Sequence, residues 1–294
     1  MVPAFLNEQL KARYGEALAE EIAAGMVSRR TSLRVNRLRG TKEDVKSALN
    51  AAGIPWAPVS WFADAFLLPE GTEALVSELP AYGQGLIYLQ SLSSMLPPLL
   101  LGAKAGEDIL DMAAAPGGKT TEIASLTDGK ALITACERNA ARAERLRANL
   151  SRQGATRVTV MQMDARDLPE SFSFNRVLLD APCSGSGTWL PGSKGRFEEA
   201  LLKRTAALQD SLLQKALSLV RPGGIVVYST CSILPRENED IVSQALNRGV
   251  CALVPIEEER YADVPRLPSL LPGSLLVRPT AEYEGFFAAA LRRT

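Results

Sequence analysis

Two cysteines lie in short polar stretches, each at the end of an apolar run. Cys183 lies in DAPCSGSGT (residues 180–188), which follows NRVLLD, and Cys231 lies in YSTCS (residues 228–232), at the end of GIVVYST. Free cysteine is commonly inert packing, but a polar turn rich in serine and threonine is the setting that a reactive thiol requires. The two stretches therefore predict two reactive thiols, and neighbouring strand ends would place both beside one substrate.

The absence of histidine limits the chemistry further. The chain has four cysteines and no histidine, and the spacing of the cysteines contains no C-x-x-C pair. Neither a disulfide framework nor a metal site is expected, and protons must be moved by Asp, Glu, Lys, Tyr, Cys or water. Cys136, inside ALITACE, and Cys251, before an apolar run, are interpreted as packing residues.

The stretch DMAAAPGGKTTEIA (residues 111–124) ends an apolar run and opens a helical pattern around a Gly-Lys-Thr. A P-loop requires a glycine where Ala113 stands, and Pro116 removes an amide from the arc that would bind phosphate. A dinucleotide turn requires G-x-G-x-x-G, but only Gly117 and Gly118 are present. The stretch therefore predicts a small-residue turn that lies against a ligand other than a phosphate.

The elements that position these residues form a regular pattern. Five apolar runs are separated by helix-like segments, which predicts an α/β region with a doubly wound, mostly parallel sheet over residues 89–294. The runs are EDILDM, ALITACE, RVTVMQMD, NRVLLD and GIVVYST. Residues 1–88 predict a smaller α+β region, with one or two helices over 4–27, a strand at TSLRVN and a helix that Thr41 begins, with Asp44 three residues on.

Four of the predicted strands end in an acid, namely Asp111, Glu137, Asp164 and Asp180. Each acid alone could be a helix N-cap or a surface residue. Ligands of open α/β sheets bind at the carboxyl ends of the strands, so four acids favour one shared crevice. Glu137 stands where a Rossmann-like domain binds ribose hydroxyls, and Asp164 stands where an adenine edge could be bound. An adenosine without a phosphate site indicates S-adenosylmethionine.

Composition gives the broad class of the protein. The chain has 294 residues, with 33 basic and 33 acidic side chains, so net charge offers no evidence of a nucleic-acid partner. No window resembles a membrane span or a secretion signal, and a cytoplasmic protein is expected.

Charge is distributed unevenly along the chain. Segment 28–40 carries Arg29, Arg30, Arg34 and Arg37 without an acid. We predict that these arginines bind RNA, with a charged strand edge as the alternative. For the basic segment 138–153, a solvated helix face is at least as well supported.

Several motifs together resemble the Nop/Sun family of RNA (cytosine-5)-methyltransferases. They are DMAAAPGGKT, LLDAPCSGSGT, YSTCSILPRENEDIV and EGFFAAALRR, with TSLRVN and GLIYLQSLSSMLP before them. The resemblance covers most of the chain and implies a Rossmann-like methyltransferase with a seven-stranded sheet, S-adenosylmethionine as cofactor and RNA as partner. It also implies an N-terminal RNA-binding region, and we expect a monomer.

The resemblance implies a role for each reactive residue. Cys231 would add to carbon 6 of cytosine, because carbon 5 is otherwise too weak a nucleophile, and Asp180 would protonate or hydrogen bond ring nitrogen 3. Cys183 would release the carbon 5 proton, directly or through water, and Lys119 would contact the cofactor carboxylate or the catalytic acid. The expected cofactor-binding residues are Ala113, Ala114, Ala115, Pro116, Gly117, Gly118, Lys119, Glu137, Arg142, Asp164 and Asp180.

The identity of the RNA is open to alternatives. Ribosomal RNA is the expected substrate, with transfer RNA as the alternative for the same chemistry and a non-catalytic RNA-binding ribosome assembly factor as another class. A thiol redox protein is a third class, which the lack of C-x-x-C disfavours. We expect no RNA-binding module after the terminal GFFAAALRRT, so target choice would come from the N-terminal region, from loops such as 190–200, or from a partner.

Overall fold

The structure is a computed structural model, and it describes residues 2–193 and 197–294. Residues 194–196, in the loop predicted to help select the target, lie outside the described residues. The helices are α1 (Ala4–Gly25), α2 (Lys42–Ala51), α3 (Glu73–Glu78), α4 (Pro80–Gly83), α5 (Leu92–Leu101), α6 (Gly118–Leu126), α7 (Ala140–Gln153), α8 (Glu199–Leu219) and α9 (Glu239–Asn247). The strands are β1 (Arg30–Val35), β2 (Ala57–Val59), β3 (Phe62–Glu70), β4 (Ile87–Leu89), β5 (Asp108–Asp111), β6 (Leu132–Cys136), β7 (Val158–Met161), β8 (Phe174–Asp180), β9 (Val220–Thr230), β10 (Cys251–Val254), β11 (Leu275–Val277) and β12 (Phe286–Arg293).

The smaller sheet is antiparallel and has the order β2-β3-β1-β4. Helix α2 packs on it through Val45 and Leu49, in the same apolar cluster as Leu33 of β1. The start of α2 is a capping box, because the Thr41 hydroxyl accepts from the Asp44 amide and the Asp44 carboxylate accepts from the Thr41 amide. The helix start that the sequence indicated at Thr41 is confirmed.

The larger sheet has the order β10-β12-β9-β8-β5-β6-β7, with β11 paired to β12. The five strands β5 to β9 pair in parallel, whereas β10, β11 and β12 pair antiparallel. The predicted doubly wound, mostly parallel Rossmann-like sheet is confirmed, and its seven-stranded path carries β11 as an additional eighth strand. Strand order reverses between β5 and β8, which is where open α/β sheets bind ligands.

Successive residues of β8 face opposite sides of this sheet. Leu178 belongs to the apolar cluster that includes Ile123 of α6 and Leu146 of α7. Val177 and Leu179 belong to the cluster that contains the buried side chains of α8 and α9. Side chains alternate along a strand, and a strand covered on both faces reads as a continuous apolar run. This two-sided burial explains why β8 was visible in the sequence as an apolar run.

Helix α1 belongs to the small region by sequence but packs against the large sheet. Its Leu6, Leu10 and Ile22 lie in the cluster of α8 and α9, and the Tyr14 hydroxyl donates to the Ile233 carbonyl at 2.8 Å. A division of the chain at residue 88 therefore stays a prediction. In the part of the chain that the structure describes, neither α1 nor another helix is long and apolar enough to cross a membrane.

Candidate active site

Cys183 and Cys231 lie at the ends of neighbouring parallel strands. Strand β8 ends at Asp180 and pairs in parallel with β9, with Asp180 opposite Ser229. The two turns that follow carry the cysteines to the same edge of the sheet, and their Sγ atoms lie 3.2 Å apart. The structure thus brings together the two thiols that the sequence singled out.

The two thiols form one hydrogen-bonded unit. The hydrogen bond with Cys231, together with burial, raises the pKa of Cys183 well above its usual range. Cys183 therefore keeps its proton, and either sulfur can be the donor in the hydrogen bond between the two thiols. Burial also raises the pKa of Cys136, to about 12, and the pKa of Cys251, which agrees with inert, packed thiols.

Lys119 and Asp180 form a hydrogen-bonded ion pair beside the cysteines. Lys119, in the first turn of α6, donates from Nζ to Asp180 Oδ2 at 2.7 Å and to Ser94 Oγ at 2.8 Å. Ser229 donates to the other oxygen of Asp180 at 2.8 Å. Burial opposes the charge of Lys119, but Asp180 outweighs it and the pKa of the ammonium is raised. Lys119 is therefore a fixed cation that orients the carboxylate.

Asp111, at the end of β5, is a second carboxylate at this edge. It is buried, and Thr120 of α6 donates to its Oδ2 at 2.7 Å. Burial raises its pKa to about 6, and the charge of Asp180 adds to the shift. Lys119 is bonded to Asp180 and its charge also acts on Asp111, so this group carries two carboxyls and one ammonium.

A cavity of about 200 Å³ lies over the turn between β5 and α6. Gly117 has a φ of +107°, and a Cβ there would lie 2.9 Å from Leu146 Cδ1, so this position requires glycine. A Cβ on Gly118 would meet the Tyr88 ring at 3.2 Å. The lining residues are Tyr88, Leu89, Gln90, Ser91, Ser94, Asp111, Ala113, Ala114, Ala115, Pro116, Gly118, Lys119 and Asp180.

A second cavity, of about 120 Å³, adjoins the first at Ala113. Its walls are apolar, formed by Met112, Met163, Ala165, Pro182, Leu208 and Leu212, and its polar groups are Glu137, Arg138, Arg142 and Asp164. An apolar slot with carboxylates at its edge fits an adenosine, and the turn beside Lys119 fits an amino-acid end. The residues present therefore fit S-adenosylmethionine across the two cavities.

Glu137 and Arg142 are fixed by the turn that they border. The buried Glu137 accepts from the Asn139 amide at 2.8 Å and lies 3.4 Å from Arg142 Nη1. Arg142 also donates to the Ala115 carbonyl at 2.9 Å. These contacts connect the start of α7, which borders the second cavity, to the small-residue turn that lines the first cavity.

Asp164 lines the second cavity, but its oxygens have partners within the chain. Arg166 donates to both oxygens of Asp164, at 3.0 and 2.8 Å. These hydrogen bonds hold the pKa of Asp164 below its usual range. Sequence reasoning did not single out Arg166, although its position two residues after an acid at a strand end was a usable signal.

Other site residues that sequence reasoning missed come mostly from one segment. Tyr88, Gln90, Ser91 and Ser94 line the first cavity, and all lie in the stretch GLIYLQSLSSMLP. This stretch contributed to the family resemblance, but its polar side chains were not assigned to the site. Ser229, which holds Asp180, lies in the YSTCS motif itself.

Arg34, one of the four arginines predicted to bind RNA, is buried inside the protein, and its role in RNA binding stays a prediction. Its side chain is 1% exposed, and its nitrogens donate to Gln90 Oε1 at 3.2 Å and Thr121 Oγ1 at 3.1 Å. Glu122 Oε2 lies 3.8 Å away. Leu33 of β1 lies in the apolar cluster with α2, and Arg34 reaches α6, so the two faces of β1 are covered by different helices. Arg34 joins the small sheet to the helix that carries Lys119.

The other three predicted RNA-binding arginines are paired with acids distant in sequence. Arg29 lies 3.7 Å from Glu284, Arg30 lies 3.1 Å from Glu282, and Arg37 lies 2.5 Å from Asp64. Segment 28–40 has no acid of its own, but the fold supplies one to each of these arginines. Their role in RNA binding stays a prediction, and they do not form a free basic patch.

The fold and the site together define a Rossmann-like methyltransferase. Within residues 2–193 and 197–294, no group of three or more His, Cys, Asp or Glu side chains could hold a metal ion. A family model described as 16S rRNA methyltransferase RsmB/F matches residues 98–292, and a model of the RsmF/B-like ferredoxin-like domain matches residues 2–74. The chain belongs to this RsmB/F methyltransferase family, and the resemblance to Nop/Sun RNA (cytosine-5)-methyltransferases is confirmed.

Individual relatives agree with this assignment. Ribosomal RNA small subunit methyltransferase F of Shewanella loihica is 38% identical over 72% of this chain and 46% of its own length. The human 28S rRNA (cytosine(4447)-C(5))-methyltransferase is 35% identical over 94% of this chain and 36% of its own length. The crystal structure of a methyltransferase homologue from Pyrococcus horikoshii is 33% identical, with a TM-score of 0.86 over 98% of this chain and 94% of that one. The chain spans about half the length of the curated bacterial relatives it matches.

Proposed function

We propose that this protein transfers a methyl group from S-adenosylmethionine to carbon 5 of a cytosine in ribosomal RNA, through a covalent adduct with Cys231. The observation that carries the proposal is the 3.2 Å separation of the Cys183 and Cys231 sulfurs at the strand ends beside the predicted cofactor cavity. One thiol can then add to the base while the other acts on the same ring. The names of the relatives, which act on ribosomal RNA, support that RNA class.

The first step is addition of the Cys231 thiolate to carbon 6 of the cytosine. The S–H group of Cys183 donates to this thiolate and stabilises it before attack. The new S–C bond pushes electrons toward carbon 5 and ring nitrogen 3. Asp180, held by Lys119 and Ser229, takes up the proton that Cys231 releases on becoming a thiolate, directly or through water, and passes it to nitrogen 3. Such a fixed charge pair stabilises charge that develops on the ring.

The second step makes the C–C bond. When bound, S-adenosylmethionine supplies a methyl group on a positively charged sulfur, which carbon 5 attacks. Tyr88, Gln90 and the small residues of the turn enclose the cavity beside this position. Enclosure holds the reactants close and keeps water away from the adduct.

The third step releases the product. Once Cys231 is bonded to carbon, Cys183 no longer adjoins a thiolate, so the main cause of its raised pKa is gone. Cys183 then loses its proton to water and takes the proton from carbon 5, directly or through a water molecule. The C–H electrons re-form the ring double bond, the S–C bond breaks with its electron pair returning to Cys231, and nitrogen 3 gives its proton back to Asp180.

The proposal is tested by RNA bisulfite sequencing of ribosomal and transfer RNA from a strain that lacks the protein. We expect one or more ribosomal cytosines to lose protection, and the purified protein with S-adenosylmethionine to restore them in vitro. Loss of protection only in transfer RNA would assign the chemistry to that RNA instead. Unchanged protection in both RNAs, together with no transfer in vitro, would contradict the activity.

A further inference from the structure

Glu237 is a fully buried carboxylate outside the predicted catalytic set. Its relative exposure is 0%, and it ends a 3-10 turn, Pro235–Glu237, just before α9. It contributes nothing to the lining of either cofactor cavity. A buried ionised group is costly unless it is hydrogen bonded on both oxygens, so its partners indicate its role.

The partners of Glu237 lie in the turn that carries Cys183. Oε1 accepts from the Ser184 amide at 2.7 Å, and Oε2 accepts from the Ser184 hydroxyl at 2.6 Å. Thr205 of α8 donates to Oε1 at 2.7 Å. Both oxygens of Glu237 therefore hold Ser184, the residue next to Cys183. Hydrogen bonds to a charged carboxylate are about twice as strong as bonds between neutral groups.

Glu237 is itself fixed to the strand that carries Cys231. The Tyr228 hydroxyl of β9 donates to the Glu237 carbonyl at 2.5 Å. Tyr228 and Cys231 are three residues apart, so one carboxylate and its own backbone join the two cysteine segments. Two further hydrogen bonds join the same two segments. The Gly187 amide donates to the Cys231 carbonyl at 3.0 Å, and the Ser186 and Ser232 hydroxyls lie 2.9 Å apart.

We propose that Glu237 is the positioning residue that holds Cys183 against Cys231, and that through Cys183 it controls release of the methylated product. The second half of this inference rests on the proposed function. Glu237 does not contact the reacting atoms, and it acts by fixing the backbone and hydroxyl of Ser184. Its negative charge also helps to keep the proton on Cys183 until the adduct forms.

The first experiment measures the position of the sulfurs without RNA. Diamide accepts two electrons and two protons from two thiols and leaves a disulfide, so its rate reports how closely the sulfurs approach. We expect the Cys183–Cys231 disulfide, read by mass spectrometry of the full-length protein, to form at least about tenfold more slowly in Glu237→Ala than in wild type. Glu237→Gln, which keeps the shape, should fall between the two.

Glu239→Gln is the matched control. Glu239 is 2% exposed and lies two residues away, but its Oε1 accepts from Ser269 and Leu270. Melting temperatures equal to that of wild type would show that each variant is folded. If Glu237→Ala does not fold, the disulfide rate of Glu237→Gln provides the test. An unchanged disulfide rate in the folded Glu237 variants, or an equal loss in Glu239→Gln, would overturn the positioning role.

The second experiment separates release from addition on unmodified ribosomal RNA. In a single turnover, we expect Glu237→Gln to form the denaturation-resistant RNA adduct at nearly the wild-type rate and to release it at least about tenfold more slowly. In the Cys183→Ala background, where the adduct accumulates, the same change should leave the rate of adduct formation unchanged, because Glu237 acts through Cys183. Slower adduct formation there would overturn the inference, whereas lack of any adduct in Cys183→Ala itself would contradict the proposed function.

Discussion

The Sγ atoms of Cys183 and Cys231 lie 3.2 Å apart although 48 residues separate them in the sequence. Two adjacent parallel strands, β8 and β9, bring their carboxyl ends to one edge, and the turns after them carry the sulfurs together. The contact makes the two thiols one hydrogen-bonded pair in which the pKa of Cys183 is raised.

Cys231→Ala is expected to abolish methyl transfer and leave cofactor binding intact. Removing the nucleophile removes the addition step, whereas Cys231 is not among the residues that line the two cofactor cavities. Transfer of a labelled methyl group to RNA measures the first effect, and calorimetric titration with S-adenosylmethionine measures the second. Cys251→Ala is the control, since Cys251 is a buried thiol at an antiparallel strand. Full activity of the Cys231 variant would exclude it as the nucleophile.

Lys119→Gln is expected to lower kcat by about 10²–10³, the usual loss when one fixed charge is removed from an active site. When the Lys119 ammonium is removed, the Asp180 carboxylate loses the hydrogen bond and the fixed positive charge that hold it, 2.7 Å from its Oδ2. Single-turnover methyl transfer at saturating cofactor measures the change. Lys130→Gln removes an exposed cation that pairs only with Asp128 at 3.5 Å and should leave kcat unchanged. Near-normal kcat in Lys119→Gln would assign Lys119 to cofactor binding alone.

Glu122→Gln is expected to make the protein less sensitive to rising pH. Burial raises the pKa of Glu122 from its ordinary value of 4.5 to about 8. Its contribution to folding is therefore complete below the unfolded pKa and is lost as pH rises through about 8. A tenfold change in proton affinity corresponds to about 1.4 kcal/mol, so the variant should lose less stability between pH 5 and 8.5, by up to several kcal/mol.

Urea unfolding of wild type and Glu122→Gln at each pH provides the measurement. Asp111, whose pKa is raised to about 6, should give both proteins a shared loss of stability at lower pH. The exposed Glu144, which pairs with Arg147, offers a control in Glu144→Gln that should follow wild type. Parallel curves for wild type and Glu122→Gln would show that Glu122 does not titrate in this window.

Arg34→Met is expected to destabilise the protein by about 3–5 kcal/mol, the usual result of removing one partner of a buried charged network. Gln90, Thr121 and Glu122 would all lose their contact with the guanidinium. Arg37→Gln, at a side chain 56% exposed, should cost no more than about 1 kcal/mol. Urea unfolding compares the two, and an RNA-binding defect in Arg34→Met without loss of stability would support its predicted RNA role.

The sequence predicted the features that depend on local pattern or on strand-end topology. Strand β8 was visible because it is covered on both faces and reads as an apolar run, as Val177, Leu178 and Leu179 show. The start of α2 followed from Thr41 and Asp44 alone. The proximity of the cysteines followed from strand order, since polar turns after neighbouring parallel strands must share one edge.

Features set by distant contacts were not predictable. The burial of Arg34 depends on α6 packing across β1, and its partner Glu122 is far along the chain. The acids opposite Arg29 and Arg30 lie near the C-terminal strand, so local counting of charges suggested a free basic patch. Glu237 sits within an acidic stretch, ENED, where nothing indicated that one carboxylate would be buried under the Cys183 turn.

The most direct test of the account is the adduct formed by Cys183→Ala. Incubated with unmodified ribosomal RNA and S-adenosylmethionine, this variant should retain RNA through denaturing electrophoresis, because addition and methyl transfer proceed but release fails. Mass spectrometry of the digested adduct should place the methylated nucleotide on the peptide that contains Cys231. A nucleotide on any other residue, or only free RNA from a variant that still transfers methyl groups, would contradict the assignment of the two thiols.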